Sequence, residues 1–560
     1  MQNENLRYSL IIALIGAIFY IPFLGGVHLF DWDEINFAEI SREMMINQEY
    51  FRVYVNFQPF WEKPPLFFWL QLSAMHLFGV GEFAARLPNA IFGVFTLVLL
   101  FQIGSKLYNN RFGFIWTLVY FGSILPFLYF KSGIIDPVFN FFIFLGIYLF
   151  VLFYWKKDKF EGIELKRSYW FYLFWGGFAI GMGILTKGQV AYLIAALTFF
   201  VYWVYQRLRF YVNVPQFLFF TLAATLVTLT WYGLETWQNG PWFINEFNKY
   251  QYRLFSTPDA GHRGFPGYHF AVLLVGCFPA SIFAFRSFFK FSTGDGEMPY
   301  QKDFRIWMKF LFWVVLILFT IVKSKIVHYS SMCYFPLTYL AAVVIYHIYE
   351  GNITFNRWMK GGLIAIASLY IFATIAMPFI GMNAEVLIPL FDDPFAQGNL
   401  EADVKWTGIE IIPGLTLIGI LIFSFRAFNR KQWRNGFAIL FGGIAIFVML
   451  TLIFFIKRIE GYSQRAAIEF FKEKKAEDCY IIPHGYKTYG YLFYNEKQPI
   501  PEEVELNNNA EWKERLLREP IDKDLYVITK IHRAHELDGI EGLNEIARKN
   551  GFVFFKREAN

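Results

Sequence analysis

Charged residues are scarce in this chain. Of its 560 residues only 17% are Asp, Glu, Lys or Arg, whereas soluble globular proteins carry about 25%. Hydrophobic residues make up 56%, 70 residues are Phe, and the mean hydropathy is +0.36. This composition excludes a cytosolic enzyme or a disordered chain and indicates a polytopic membrane protein with a modest soluble part. The net charge of +6 is typical of basic cytoplasmic loops and indicates no nucleic-acid partner.

Cysteines and nucleotide-binding motifs are also few. The chain has only three cysteines: Cys277 and Cys333 lie in apolar runs, and Cys479 is isolated near the end, so no disulfide framework is expected. The sequence contains no Gly-rich phosphate loop, which counts against an ATP-driven pump. It also lacks the internal repeat that many transporters carry.

Long apolar runs dominate the first four fifths of the chain. A spanning helix needs about 20 mostly apolar residues. The first run is too long for a cleaved signal and has no small-residue cleavage site, so we interpret it as the first helix. Thirteen spans are predicted, at roughly 8–28, 83–104, 112–130, 134–155, 169–186, 188–206, 214–236, 269–287, 306–323, 328–349, 359–379, 408–427 and 436–456.

The distribution of Lys and Arg predicts the orientation. These residues concentrate in the short loops on the side of the N-terminus, and the positive-inside rule places that side in the cytoplasm. Three long loops, at about 29–82, 237–268 and 380–407, then lie outside. The odd number of spans places the C-terminus outside as well.

The composition changes at about residue 457. Short strands are predicted at 480–483, 489–494, 525–528 and 552–555, and helices at 510–518 and 543–549. We therefore expect an all-α polytopic membrane domain over residues 1–456, whose first outer loop (29–82) carries amphipathic juxtamembrane helices. A small α/β extracytoplasmic domain is expected over residues 457–560.

Three carboxylates stand out near the predicted outer ends of the spans. Asp33 and Glu34 open an amphipathic segment expected to lie on the membrane surface, where a carboxylate suits deprotonation of a hydroxyl or cation binding. Solvated loop charges are the simpler alternative. Asp136 lies between the third and fourth helices, just before Pro137. Helix capping explains it, yet a carboxylate at membrane depth is usually functional, and both roles are compatible.

Lysines at outer helix ends form a candidate anion site. Lys63 precedes two prolines, which fix the backbone, and a rigidly held ammonium suits a phosphate group. Lys187 and Lys325 lie in short basic turns, the second of which continues into His328 and Tyr329. Each lysine alone is explained by snorkelling to the interface. Together they indicate an anion-binding site.

Metal binding is suggested at two places. His262 lies in a long outer loop, on the same side as Glu62, and the two residues suit a metal site, although a solvated loop histidine is the simpler interpretation. His532 and His535 are spaced three residues apart in the C-terminal domain, where solvated helix positions are favoured. No nucleotide cofactor is expected.

Several of these stretches together resemble the integral-membrane GT-C glycosyltransferases. The likeness is strongest to the lipid A aminoarabinose (4-amino-4-deoxy-L-arabinose) transferases, with the protein O-mannosyltransferases as more distant relatives. The combination of the DE-x-x-x-AEI-x-REM pattern with EKPP is the most specific part. The matching stretches are residues 33–44, 62–65, 135–137, 185–188, 262 and 324–336.

The resemblance implies inverting transfer of a sugar from a polyprenyl-phosphate carrier, such as undecaprenyl phosphate. The acceptor would be lipid A, another glycolipid, a polysaccharide or a protein on the outer face of the bacterial cytoplasmic membrane. The implied roles are catalysis by Asp33 with support from Asp136, lipid-phosphate binding by Lys63 and Tyr329, and a structural zinc held by Glu62 and His262.

The sequence departs from the family pattern at several positions. Asn36, Phe37 and Phe60 stand where family members often have Arg, Tyr and Tyr, and Gln189 replaces a usual Pro. Each of the first three changes removes a phosphate contact, so the donor or acceptor is open. The alternatives are a protein O-glycosyltransferase, a lipid-linked-sugar transporter or a non-catalytic scaffold.

Overall fold

The computed structural model describes residues 2–257, 264–291 and 297–559. Most of the chain is helical. Before the C-terminal domain, helices alternate with short connections, and a two-stranded hairpin lies within residues 48–65. The helices up to the middle of the chain are α1 Gln2–Tyr20, α2 Asp33–Asn47, α3 Leu66–Phe78, α4 Glu82–Leu107, α5 Asn110–Phe121, α6 Ile124–Tyr129, α7 Asp136–Lys157, α8 Tyr169–Lys187, α9 Val190–Tyr205, α10 Val214–Asn239 and α11 Trp242–Ser256. The hairpin pairs β1 Tyr54–Val55 with β2 Gln58–Pro59.

The second half of the membrane region continues this pattern. A 3₁₀ helix at Val327–Cys333 leads directly into α15, and a π-helical stretch at Leu452–Ile456 joins α20 to α21. The helices are α12 Tyr268–Gly276, α13 Ala280–Ser287, α14 Pro299–Ile321, α15 Tyr334–Tyr349, α16 Arg357–Met382, α17 Ala384–Leu387, α18 Pro394–Leu400, α19 Ile412–Asn429, α20 Trp433–Thr451 and α21 Lys457–Gly461.

Helices occupy every predicted span. Within the described ranges, nine helical segments are long and apolar enough to cross a membrane, or ten if the α12–α13 pair counts as one. That pair is bent by 118° around Pro279, whose missing N–H cannot continue a helix. The first predicted span (α1), the third (α5 and α6) and the sixth (α9) are helical but fall outside this set. The protein is a multi-pass, mostly helical membrane protein, and thirteen spans stay a prediction.

The C-terminal domain contains a four-stranded sheet of order β3-β4-β6-β5. β3 and β4 are parallel, and the other two pairings are antiparallel. The helical run Trp433–Gly461 passes the predicted boundary at 456/457, so the soluble fold begins after Gly461. The elements are α22 Arg465–Glu473, β3 Tyr480–His484, α23 Gly490–Phe493, α24 Pro501–Leu506, α25 Asn509–Arg518, β4 Leu525–Lys530, β5 Leu543–Lys549 and β6 Phe552–Arg557.

Two predictions for this domain are wrong. The predicted helix at 543–549 is the edge strand β5, which pairs with β6 through a tight turn at Asn550 and Gly551, both at positive φ. An Asn-Gly pair is a strong hairpin signal, and here the turn prevails over the helix-forming residues before it. The predicted strand at 489–494 is the short buried helix α23.

The C-terminal domain packs on residues 29–42, in the segment that follows α1. The Leu29 amide donates to the Tyr494 hydroxyl (2.6 Å), and the Arg42 guanidinium donates to the Lys497 carbonyl (2.8 Å). These contacts tie α2 to the domain. The end of α2 that carries Asp33 is thereby held between the membrane helices and the soluble domain.

Candidate active site

Two carboxylates from separate helices meet around one histidine. Asp33 begins α2 and Asp136 begins α7. His328 lies on the 3₁₀ helix, and its Nε2 is 3.8 Å from an Oδ2 atom of each aspartate. The Asp33 side chain is 33% exposed, whereas the Asp136 side chain is 4% exposed. The structure therefore brings together one accessible and one buried carboxylate that lie far apart in sequence.

Lys187 balances the buried carboxylate. Its Nζ contacts Oδ1 of Asp136, while Oδ2 of Asp136 is buried without a hydrogen-bond partner. Lys187 ends α8, and Gly188 follows with φ at +106°, where a Cβ would come within 2.3 Å of the Phe247 ring. This position therefore requires glycine. The free lone pairs of Oδ2 are the buried acceptor of the site.

Lys63 lies at the same end of the helices. Its Nζ is 3.3 Å from the Tyr250 hydroxyl and 4.7 Å from the ring centroid, and it is close enough to interact electrostatically with His328. Pro64 and Pro65 precede the first residue of α3, as their sequence position predicts. The backbone behind the Lys63 ammonium is therefore constrained.

Tyr329 adjoins Lys187. The Lys187 Nζ lies 5.3 Å from the centroid of the Tyr329 ring, which also packs on Phe319 at 5.4 Å. Lys325 does not share this environment. Its Nζ donates to the carbonyls of Phe319 (3.0 Å) and Thr320 (2.6 Å), at the end of α14, so its ammonium stabilises a helix terminus.

Glu34 has a different environment from its neighbour Asp33. It is 6% exposed and receives two hydrogen bonds from the Arg86 guanidinium, at 3.0 and 2.7 Å. The Phe30 and Gly133 amides also donate to it. Arg86 further donates to three carbonyls of residues 24–28. The geometry suits a structural anchor beneath α2.

The proposed metal pair is only half within the described residues. Glu62 is half-buried and interacts electrostatically with Tyr489, whereas His262 lies outside the described ranges. Across residues 2–257, 264–291 and 297–559, no three His, Cys, Asp or Glu side chains gather in a metal-binding arrangement. The zinc pair therefore stays a prediction.

The positions that depart from the family pattern are buried. Asn36, Phe37 and Phe60 are 3%, 2% and 5% exposed. Phe37 packs between the rings of Phe67 and Phe68, at centroid distances of 5.9 and 5.8 Å. Phe37 therefore contributes to the packing of α2 on α3.

Three residues of this region are not among the candidates that the sequence indicates. His328 appears there only as part of a motif, although an ionisable residue at the start of a predicted span is a usable signal. The same signal applies to Arg86 in the second predicted span. The sequence gives no such signal for Tyr250, because a tyrosine in a long polar loop is unremarkable before folding brings it to Lys63.

The comparisons with known proteins concern the fold and the family resemblance. The family model for dolichyl-phosphate-mannose-protein mannosyltransferases matches residues 62–231. The solved structure of ArnT from Cupriavidus metallidurans bound to undecaprenyl phosphate superposes with a TM-score of 0.77, over 98% of both chains at 15% identity. This chain has the fold of ArnT. The predicted resemblance to integral-membrane GT-C glycosyltransferases is confirmed.

Two curated relatives of this chain share one name. An undecaprenyl phosphate-alpha-4-amino-4-deoxy-L-arabinose arabinosyl transferase from Wigglesworthia glossinidia brevipalpis is 26% identical, covering 60% of this chain and 58% of its own length. The same-named protein of Yersinia pestis (strain Pestoides F) is 25% identical, covering 75% and 73%. The chain thus matches less than two thirds of the first relatives' length.

Proposed function

We propose that this protein is an inverting glycosyltransferase of the bacterial cytoplasmic membrane. It moves a sugar from a polyprenyl-phosphate donor, undecaprenyl phosphate, to lipid A or another envelope glycolipid. The observation that carries the proposal is the pair formed by an accessible and a buried carboxylate, flanked by Lys63 and Lys187. The relatives' names support this proposal and give no support to the transporter alternative.

In the proposed reaction the accessible carboxylate is the base. Asp33 takes the proton of the acceptor hydroxyl, whose oxygen bonds to the anomeric carbon of the donor sugar. The bond from that carbon to the phosphate oxygen breaks on the opposite face, and its electron pair leaves with the polyprenyl phosphate. Lys63 and Lys187 stabilise the developing negative charge. For a phosphate acceptor, positioning replaces deprotonation.

Lys63 binds the lipid phosphate in this account. A charge-assisted hydrogen bond contributes about 1.5–3 kcal/mol, so Lys63→Gln should weaken undecaprenyl-phosphate binding by about 10- to 100-fold. The measurement is titration of purified protein in nanodiscs. Lys249→Gln, on exposed α11 surface where Lys249 pairs with Glu246, is the matched control and should leave affinity unchanged. Equal affinity of wild type and Lys63→Gln would contradict the assignment.

His328 positions the two aspartates. Its Nε2 is equally distant from both Oδ2 atoms, so His328→Gln should let each carboxylate reorient and lower kcat by about 100-fold with little change in donor KM. His347→Gln, on α15 away from the site, is the control. An unchanged kcat would rule out this role.

We further propose that the chain crosses the membrane thirteen times and that its C-terminal domain lies on the outer face. In a Cys479→Ser background, a cysteine replacing exposed Lys523 should react with a membrane-impermeant maleimide in intact cells. A cysteine replacing Lys431, between α19 and α20, should react only after lysis. The native Cys277 and Cys333 are buried and give little background. The reverse pattern would place the site on the cytoplasmic face.

A further inference from the structure

A cavity of about 500 Å³ lies where the C-terminal domain meets the β1–β2 hairpin. Its walls come from the β1–β2 hairpin, the start of α11 and the C-terminal domain. One wall residue, Tyr489, packs on Trp32 with ring centroids 5.5 Å apart, and Asp33 follows Trp32 in sequence. The cavity therefore adjoins the turn that carries the accessible carboxylate.

The charge of the cavity wall has one sign. Arg52, Lys487 and Lys513 line it, and no Asp or Glu occurs among the described residues that form its walls. The Arg52 guanidinium lies 5.2 Å from the Trp242 ring centroid, and its Nε is 3.8 Å from Oε1 of the buried Glu235. The Lys487 Nζ lies 4.3 Å from the Trp32 ring centroid. A wall lined by three cations suits an anionic ligand.

Lys513 extends the same pattern. Its Nζ donates to the Pro483 carbonyl at 3.1 Å, and burial lowers the pKa of its ammonium to about 8. The carboxylate that attracts the Lys513 ammonium electrostatically is Glu503, which already forms an ion pair with Lys497 at 2.6 Å. A bound anion would stabilise the charged form of Lys513.

The remaining lining suits a sugar ring. Trp61 and Trp242 meet at 83° with centroids 6.3 Å apart, and they give flat apolar surfaces. Gln58, Asn507 and Asn509 add amide donors and acceptors for hydroxyl groups. A pocket of this size with apolar walls and a few polar groups is typical of a small-molecule site.

Two chain segments link the cavity to Lys63. Trp61 lines the cavity and lies two residues before Lys63. Trp242 also lines it, and Tyr250, whose hydroxyl contacts Lys63, lies eight residues later on α11. The cavity therefore adjoins the part of the site that carries Lys63.

We propose that this cavity binds an anionic sugar residue of the acceptor. The inference rests on the proposed function, because it assigns one part of the acceptor of that reaction. The cavity would thus select acceptors that carry a phosphate or carboxylate on a second sugar, while Asp33 acts on the accepting group itself.

Binding of a defined probe tests the cavity directly. Purified full-length protein in phosphatidylcholine nanodiscs is titrated with glucose 6-phosphate, glucose and inorganic phosphate. We expect glucose 6-phosphate to bind at least tenfold more tightly than either of the others. Arg52→Gln and Lys513→Gln should each weaken it at least tenfold. Lys523→Gln, in an exposed pair with Asp478, should not.

Other outcomes of this titration overturn the proposal. Equal binding of inorganic phosphate would indicate a simple anion site, and displacement of glucose 6-phosphate in phosphatidylglycerol nanodiscs would indicate a lipid headgroup. A transfer assay separates failure of the cavity from failure of the function. If the wild-type protein transfers sugar and the acceptor KM is unchanged in Arg52→Gln and Lys513→Gln, the acceptor-binding role of the cavity is wrong but the proposed function stands. If the probe binds but the wild-type protein shows no transfer, the proposed function is wrong and the cavity still binds an anionic sugar.

Discussion

Asp33→Asn should lower sugar transfer by about 1,000-fold. The substitution keeps the size of the side chain but removes the base that takes the acceptor proton, an effect of about 10²–10⁴ in general acid–base catalysis. Because the side chain is 33% exposed at the end of α2, folding should be unaffected. The measurement is initial rate with purified protein and saturating donor, alongside the thermal unfolding midpoint.

Asp158→Asn is the matched control. Asp158 lies at the opposite end of α7 from Asp136, where it pairs with Lys157 at 3.7 Å, and its replacement should leave the rate within twofold. If Asp33→Asn retains wild-type transfer, Asp33 is not the base. A loss of rate accompanied by a large fall in the unfolding midpoint would instead indicate a structural role.

Arg86→Met should destabilise the protein more than any other single change considered. It leaves the Glu34 carboxylate buried without its cation and removes donors to three backbone carbonyls. Breaking a buried ion pair costs about 3–5 kcal/mol. We expect a large drop in the free energy of unfolding, measured by denaturant titration in detergent.

Two further variants give this prediction its controls. The double variant Arg86→Met/Glu34→Gln should recover part of the lost stability, because no buried charge is then unpaired. Arg111→Met breaks an exposed pair with Glu350 and should cost at most about 1 kcal/mol. Equal effects of Arg86→Met and Arg111→Met would show that Glu34 does not depend on Arg86.

Helix positions were predictable because hydropathy acts locally. Each apolar run is a helix, and the sequence also indicated that Asp33, Asp136, Lys63 and Lys187 share one end of the bundle. The bend at Pro279 was not expected, since hydropathy continues across it. In the C-terminal domain, pairing with β6 determined the conformation of residues 543–549, and such long-range contacts are invisible to local propensity.

The site itself was only partly predictable. Asp33 and Glu34 are neighbours in the sequence. Only the fold shows that Glu34 pairs with Arg86 and that Asp33 approaches His328. Likewise, three basic residues at helix ends look alike in sequence. Packing separates Lys325, which binds backbone carbonyls, from Lys187, which binds Asp136.

The most direct test of the central claim is mass spectrometry of whole cells. Envelope glycolipids and polyprenyl-phosphate sugars are compared between cells with the wild-type protein and cells with Asp33→Asn at equal protein levels. We expect a polyprenyl-phosphate sugar to accumulate in the variant while one glycolipid loses a sugar of matching mass. If both pools are the same in the two strains, the protein is not a transferase of lipid-linked sugars to envelope glycolipids.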